Sequence, residues 1–244
     1  MSVKLELRDE FKRVLENYTL SDEARQMLSS TPLVIMLGVS GSGRNTVINH
    51  LVNTGGYHFI VSDTTRPAKF RDGKMERDGV NYFFRDEKDM LEELRQGKYL
   101  EAELIHDQQV SGISIRELER AKISGQIPIT EVDLGGAAAI KRAKDDAFIF
   151  FLVPPSFKEW LYRLKGREVM SEQELRNRLT TAKRVFEEGF ESPHYVFVVN
   201  DSSHHSAKDI DHHVRREVDL ATSRESREIA RKVYDELLVE LALT

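Results

Sequence analysis

The plainest chemistry in this sequence lies in Gly38-Val39-Ser40-Gly41-Ser42-Gly43-Arg44-Asn45-Thr46. Glycines at this spacing let backbone N–H groups turn inward around an anion with no Cβ in the way, and a helix behind them presents its positive end. The stretch reads as a phosphate-cradling loop. Against the pattern G-x-x-x-x-G-K-[ST], Gly38 and Gly43 fit, Arg44 stands at the lysine position, and Asn45 stands where a Mg²⁺-binding hydroxyl belongs. Thr46 supplies a hydroxyl one residue late. Arginine keeps the positive charge but spreads it over a planar fork. Asparagine offers a neutral amide oxygen, which Mg²⁺ accepts beside carboxylates and phosphates. The plain alternative is a ligand-free strand-to-helix turn, and the apolar run ahead of the loop weighs against it.

Those elements follow from the pattern. Leu33 to Leu37 is an unbroken apolar run after Thr31-Pro32 and reads as a buried strand, while Val47-Ile48-Asn49-His50-Leu51 continues the loop as a helix. Residues 5 to 29 predict two short helices, the second begun by Ser21-Asp22-Glu23, in a packed extension without visible chemistry. A strand is expected over Tyr57 to Val61, then a polar stretch dense in Arg, Asp and Gly that ends at Gly79-Val80-Asn81-Tyr82-Phe83-Phe84. Further along come a helix from Asp86 to Gln96, a strand from Tyr99 to Ile105, and a helix capped by Ser114. Ile127 to Asp133 is a core strand ending in acids, and Ala147 to Val153 is an apolar strand stopped by Pro154-Pro155.

Two capping boxes, Ser156 with Glu159 and Ser171 with Glu174, predict a helical pair across 156 to 188, and Tyr195 to Val199 is the last strand. Strands alternating with helices, several of them continuously apolar, imply an α/β fold. Its parallel sheet is covered by helices on both faces, and ligands gather at the strands' carboxyl ends. From Ser223 to Leu241, apolar residues recur every four positions, which predicts a docking helix. His204, His205, His212 and His213 flank Asp209, but their surroundings lack the apolar support that metal ligands need.

Composition excludes several classes. A formal charge of -5 and no cysteine argue against a dedicated nucleic-acid binder and exclude disulfides, thiolate metal sites and a cysteine nucleophile. No apolar run approaches the roughly 18 residues of a membrane span, and the charged start does not read as a signal peptide. A soluble, cytoplasmic protein, monomer or homodimer, is expected.

With these pieces in order, the sequence resembles the guanylate kinase family of P-loop nucleoside monophosphate kinases, over about residues 32 to 201. Val61-Ser62-Asp63-Thr64-Thr65-Arg66, then Arg71-Asp72-Gly73 and Gly79 to Phe84, are similar to the family's S-x-T-T-R…R-x-G…G-x-D-Y-x-F signature. Phe151 to Ser156 and Val198 to Asp201 follow in the family's order. The resemblance implies a guanylate-kinase-like domain at 31–203, with an acceptor-binding β subdomain at about 57–113 and a helical lid at about 156–188. Helical extensions would occupy 1–30 and 204–244.

It also implies phosphoryl transfer from ATP with Mg²⁺ to GMP or dGMP. Gly38, Ser40, Gly41, Ser42, Gly43, Arg44, Asn45 and Thr46 would bind ATP. Arg66, Arg71 and Tyr82 would hold the acceptor phosphate, since guanidinium forks match phosphate oxygens. Ser62, Glu101 and Asp133 would read guanine. Arg44, with Arg163, Arg167 and Arg178 of the lid, would stabilise the transferred phosphoryl. Asn45 and Glu131 would serve Mg²⁺.

The departures are specific. Beyond Arg44 and Asn45, Ser111 stands before Gly112 where the family has a tyrosine, the segment from Arg66 to Tyr82 is longer, and Glu168-Val169-Met170 replaces Gly-Thr-Glu. They keep two alternatives open: a weak or inactive module of this type that binds a phosphorylated partner, and a kinase for another small phosphate.

Overall fold

The structure, a computed structural model, describes residues 5–71, 73–166, 170–215 and 220–243. In chain order it has α1 (Arg8–Glu16), α2 (Asp22–Ser30), β1 (Val34–Gly38), α3 (Arg44–Asn53), β2 (Tyr57–Phe59), β3 (Asp63–Thr64), β4 (Phe70–Arg71), β5 (Lys74–Met75) and β6 (Phe83–Phe84). There follow α4 (Glu87–Arg95), β7 (Tyr99–Ile105), β8 (Gln109–Ser114), α5 (Ile115–Ile123), β9 (Ile127–Glu131) and α6 (Leu134–Ala143). The chain ends with β10 (Phe148–Val153), α7 (Phe157–Lys165), α8 (Glu172–Glu191), β11 (Val196–Val199), α9 (Ser203–Arg215) and α10 (Leu220–Leu243).

These elements divide into two compact units, one of residues 1–32, 58–128 and 138–146, the other of 33–57, 129–137 and 147–244. The second holds β1, β10, β11 and residues 129–131 of β9 from the predicted parallel sheet, ordered β11-β10-β1-β9-β2, in which β1 pairs parallel with β9 and β10, and β10 with β11. Every residue of β1 is buried. Because neighbouring strand residues face opposite ways, β10 meets helices on both faces. Phe150 stacks on His213 of α9, and Phe151 packs against Phe186 of α8. Gly189 lets α8 approach the Phe151 ring, since a methyl there would meet it at 2.5 Å. Helix α10 buries Ala230, Val233 and Leu237, and Arg227 donates to the carbonyls of Ser192 at 2.6 Å and Tyr195 at 3.1 Å.

The capping residues Ser156 and Ser171 accept from the amides of Glu159 and Glu174 as expected. The reciprocal half of each box is absent from the observed bonds. Glu159 and Glu174 instead accept from Arg163 and Arg178 one turn on, at 2.9 and 2.7 Å.

The first unit is built on a four-stranded sheet, β6-β3-β8-β7, with a two-stranded hairpin, β4-β5. Its apolar cluster joins Leu5 and Phe11 to Met90, Leu91, Leu94, Tyr99 and Val110. The N-terminal helices are thus part of this unit's core. Tyr18 seals it by donating to the Tyr99 carbonyl at 2.6 Å and accepting from the Tyr99 amide at 2.7 Å. Burial, set against that hydrogen bond, pushes the Tyr18 hydroxyl up to about 12.

Candidate functional site

In the second unit, β1 ends at Gly38 and α3 begins at Arg44, so the glycine loop spans a strand's carboxyl end and a helix's amino end. Gly38, Gly41 and Gly43 adopt φ of 136, 85 and 93°, a region that side chains resist. Gly43 caps α3 without a side-chain bond. The Thr46 amide donates to the Gly43 carbonyl at 3.1 Å, and the Arg44 and Asn45 amides, which precede the first intrahelical bond, are left for an anion. The Ser42 hydroxyl is buried with no hydrogen-bond partner among the described residues.

Two residues to which the sequence assigned no role hold this loop. Asn200, 3 % exposed after β11, donates from Nδ2 to the Ser42 carbonyl at 2.7 Å and accepts at Oδ1 from the Ser206 hydroxyl at 3.2 Å. A methyl at Gly43 would overlap Asn200. Trp160, the sole tryptophan, donates Nε1–H to the Ser40 carbonyl at 2.8 Å. Both are ordinary residues on their own elements, and only tertiary packing gives them this task.

Beside the loop lies a cleft of about 600 Å³ whose lining includes Gly41, Gly43, Thr46, Arg163 and Asn200. Arg163 donates to Glu159 at 2.9 Å and to the Asn200 carbonyl at 3.0 Å, which fixes its guanidinium at the cleft wall. Arg178 pairs with Glu174 on α8 and is not among the residues lining that cleft. Arg167 lies outside the described residues.

Glu131, at the end of β9, gathers the unusual loop residues. Arg44 Nε stands 3.5 Å from it, and the Asn45 amide, with its nitrogen turned inward, donates to both carboxylate oxygens at 2.8 and 3.1 Å. Rotated by half a turn, the same amide would set its oxygen beside the carboxylate. Adjacent ligands of an octahedral Mg²⁺ with 2.0–2.1 Å bonds lie about 2.9 Å apart. The Asn45–Glu131 pair therefore fits that ion. Asp133 is exposed and accepts from the Gly136 amide at 2.8 Å, capping α6.

In the first unit, β3 carries the segment from Ser62 to Arg66 between β6 and β8. Asp63, fully buried, pins it, accepting from Arg85 at 2.8 Å, Arg116 at 2.7 Å and Tyr99 at 2.6 Å. Arg66 lies over the Tyr82 ring, 4.6 Å from its centroid, and is paired with Glu76. Arg66 and Tyr82, named together in the sequence as acceptor-phosphate residues, lie side by side, and the sequence gave no hint of Glu76. Arg71 is described by its backbone in β4. Half-buried Glu101 sits at an irregularity of the β7–β8 ladder, opposite Ile113. The Ser111 hydroxyl donates to the Thr64 hydroxyl at 2.8 Å. Among the described residues no group of three His, Asp or Glu is placed to hold a metal, and no helix is long and apolar enough to cross a membrane.

Similarity to known proteins extends over most of the chain. The family described as guanylate kinase matches residues 30–217. A guanylate kinase of Corynebacterium diphtheriae is 36% identical over 180 residues, covering 73% of this chain and 91% of that protein. Guanylate kinase 1 of Arabidopsis thaliana is 35% identical over 161 residues, covering 65% of this chain. The chain spans only 40% of the Arabidopsis protein and 38% of a similar Oryza sativa one. The crystal structure of guanylate kinase from Anaplasma phagocytophilum aligns with a TM-score of 0.53 at 24% identity, covering 76% of this chain and 84% of that one, a likeness of fold.

Proposed function

The chain belongs to the guanylate kinase family, and on that footing we propose that it transfers the γ-phosphoryl group of ATP to GMP or dGMP. The observation that carries this is the glycine loop. Its three left-handed glycines, its uncapped helix start and the Arg163 side chain in the wall of a cleft of about 600 Å³ suit a polyphosphate.

Mechanistically, the loop amides hold the donor phosphates, and Asn200 and Trp160 keep the loop from collapsing when they are empty. Arg44 and Arg163 supply positive charge toward the transferred group, Arg167 and Arg178 being the further lid candidates. Catalysis in such sites is mostly positioning and electrostatics. Asn45 and Glu131 would hold Mg²⁺, which when bound would supply positive charge against the donor phosphates. Arg66, Arg71 and Tyr82 grip the acceptor phosphate. Ser62, Glu101 and Asp133 read the base. A carboxylate accepts from guanine's N1–H and amino group, whereas adenine would set an acceptor against it.

The test is ADP formation with ATP, Mg²⁺ and a panel of GMP, dGMP, AMP, UMP and CMP beside a no-acceptor control. Turnover confined to the guanine nucleotides is expected. Silence across the panel while GMP still binds would replace this reading with that of a binding module.

A further inference from the structure

Arg66 and Glu76 form a bidentate pair in which both side chains are more than nine-tenths buried, at 7% and 8% exposure. Nη1 donates to Oε2 at 2.5 Å and Nη2 to Oε1 at 2.9 Å, and Nη1 also donates to the Pro67 carbonyl at 3.0 Å. Glu76 is itself fixed. Its Oε2 accepts from the Lys69 amide at 2.9 Å, and its own amide donates to the Lys69 carbonyl at 2.9 Å, which closes the base of the β4–β5 hairpin.

An arginine has five N–H donors in a rigid plane. These bonds use three, all at the guanidinium's end and its Nη1 side. The remaining two, Nε–H and the second Nη2 hydrogen, share one edge. That edge is a two-donor fork of the kind that matches two oxygens of a phosphate. Tyr82, with its ring centroid 4.6 Å from the guanidinium carbon, and Phe84, at 5.8 Å, restrict tilting of the plane.

We propose that Glu76 is a positioning residue for the acceptor phosphate: by gripping the end of Arg66, it fixes the plane and presents a single fork for one phosphate monoester. This rests on the reading of Arg66 as an acceptor-phosphate residue. The rival role for such a carboxylate is that of an internal anion competing with the phosphate for Arg66. The two roles predict opposite signs.

The experiment compares wild type, Glu76→Gln and Glu76→Asp by calorimetric titration with GMP and by steady-state kinetics, with thermal melting to establish folding. Glutamine has one acceptor oxygen and turns an NH₂ against an Nη donor, so it breaks the bidentate grip. A rise of about tenfold or more in the GMP Kd and KM is expected, with the ATP KM and the kcat at saturating GMP within about twofold of wild type. Glu76→Asp, which keeps the charge with shorter reach, is expected between the two, and serves as the test should Glu76→Gln not fold. Unchanged GMP affinity, tighter GMP binding, or equal losses for GMP and ATP would overturn the proposal. If wild type binds GMP without transferring phosphate, the kinase reading fails while the GMP affinities still decide the role of Glu76. If wild type does not bind GMP, both are overturned.

Discussion

In the proposed transfer Arg44 is the residue on which the chemistry turns, because it carries the loop's charge on a fork instead of a compact ammonium and stands 3.5 Å from Glu131. Replacing it by alanine removes a cation from a site where charge builds up in the transition state. Arg44→Ala is expected to lower kcat by about 100-fold or more and to leave the GMP KM near wild type, as steady-state kinetics with varied GMP would read. A wild-type rate would remove Arg44 from the mechanism. Glu101 carries the other residue-scale claim. Glu101→Gln should cost GMP about 1–3 kcal/mol of transition-state binding while leaving AMP unaffected, read as the ratio of kcat/KM values. Equal losses for the two would count against base readout. Arg66 and Tyr82 could be singled out because a signature fixes their order, and Glu101 by its place in the family's resemblance, whereas Glu76 and Asn200 act through packing partners far apart in sequence or across an unusually long segment.

At the scale of elements, sequence pattern worked where burial is continuous. The apolar runs of β1, β10 and β11 appear in the sheet within a residue or so of where periodicity puts them, and β7 runs from Tyr99 to Ile105 as expected. Strands β3 to β6 were illegible, since each is two residues long and exists by pairing. β8, with Gln109-Val110-Ser111-Gly112, lacks apolar alternation and is set by its ladder with β7. The hairpin β4–β5 even exposes its paired Phe70 and Met75, at 67% and 56%.

Helix α5 docks through Glu117, which is 1% exposed and bonded to His58 at 3.3 Å, the Val61 amide at 3.1 Å and Arg120 at 2.8 Å. Burial works to raise its carboxyl, but His58, the Val61 amide and Arg120 outweigh it and hold it below its usual 4.5. The folded state therefore binds this proton more weakly than the unfolded state. The stabilisation is complete above that usual value and is lost as pH falls through the lowered one. Urea unfolding of wild type and Glu117→Gln is expected to differ most near neutral pH and to converge as the pH falls below 4.5. A gap independent of pH would contradict the linkage. On α10, Leu237 is fully buried. Leu237→Ala should lower unfolding stability by about 2–5 kcal/mol with kcat unchanged below the melting range. A cost near zero would mean that this helix does not dock.

At the scale of the whole molecule, the family match ends at residue 217, so α10 lies beyond it yet supplies buried side chains and backbone-carbonyl bonds to the unit carrying the glycine loop. The N-terminal helices do the same for the other unit through Leu5 and Phe11. Both extensions thus read as support for the two units. Four-residue spacing predicted that the C-terminal helix would dock, but what either extension docks against is a tertiary fact. The proposed function requires that an Arg-Asn glycine loop still deliver a phosphoryl group to a guanine nucleotide. Its most direct test follows the γ-phosphate itself, by incubating the protein with γ-labelled ATP, Mg²⁺ and GMP and locating the label. Label in the β-phosphate of GDP, at a rate that falls with Arg44→Ala, is the predicted result. Label that stays in ATP, or that leaves only as inorganic phosphate, would contradict it.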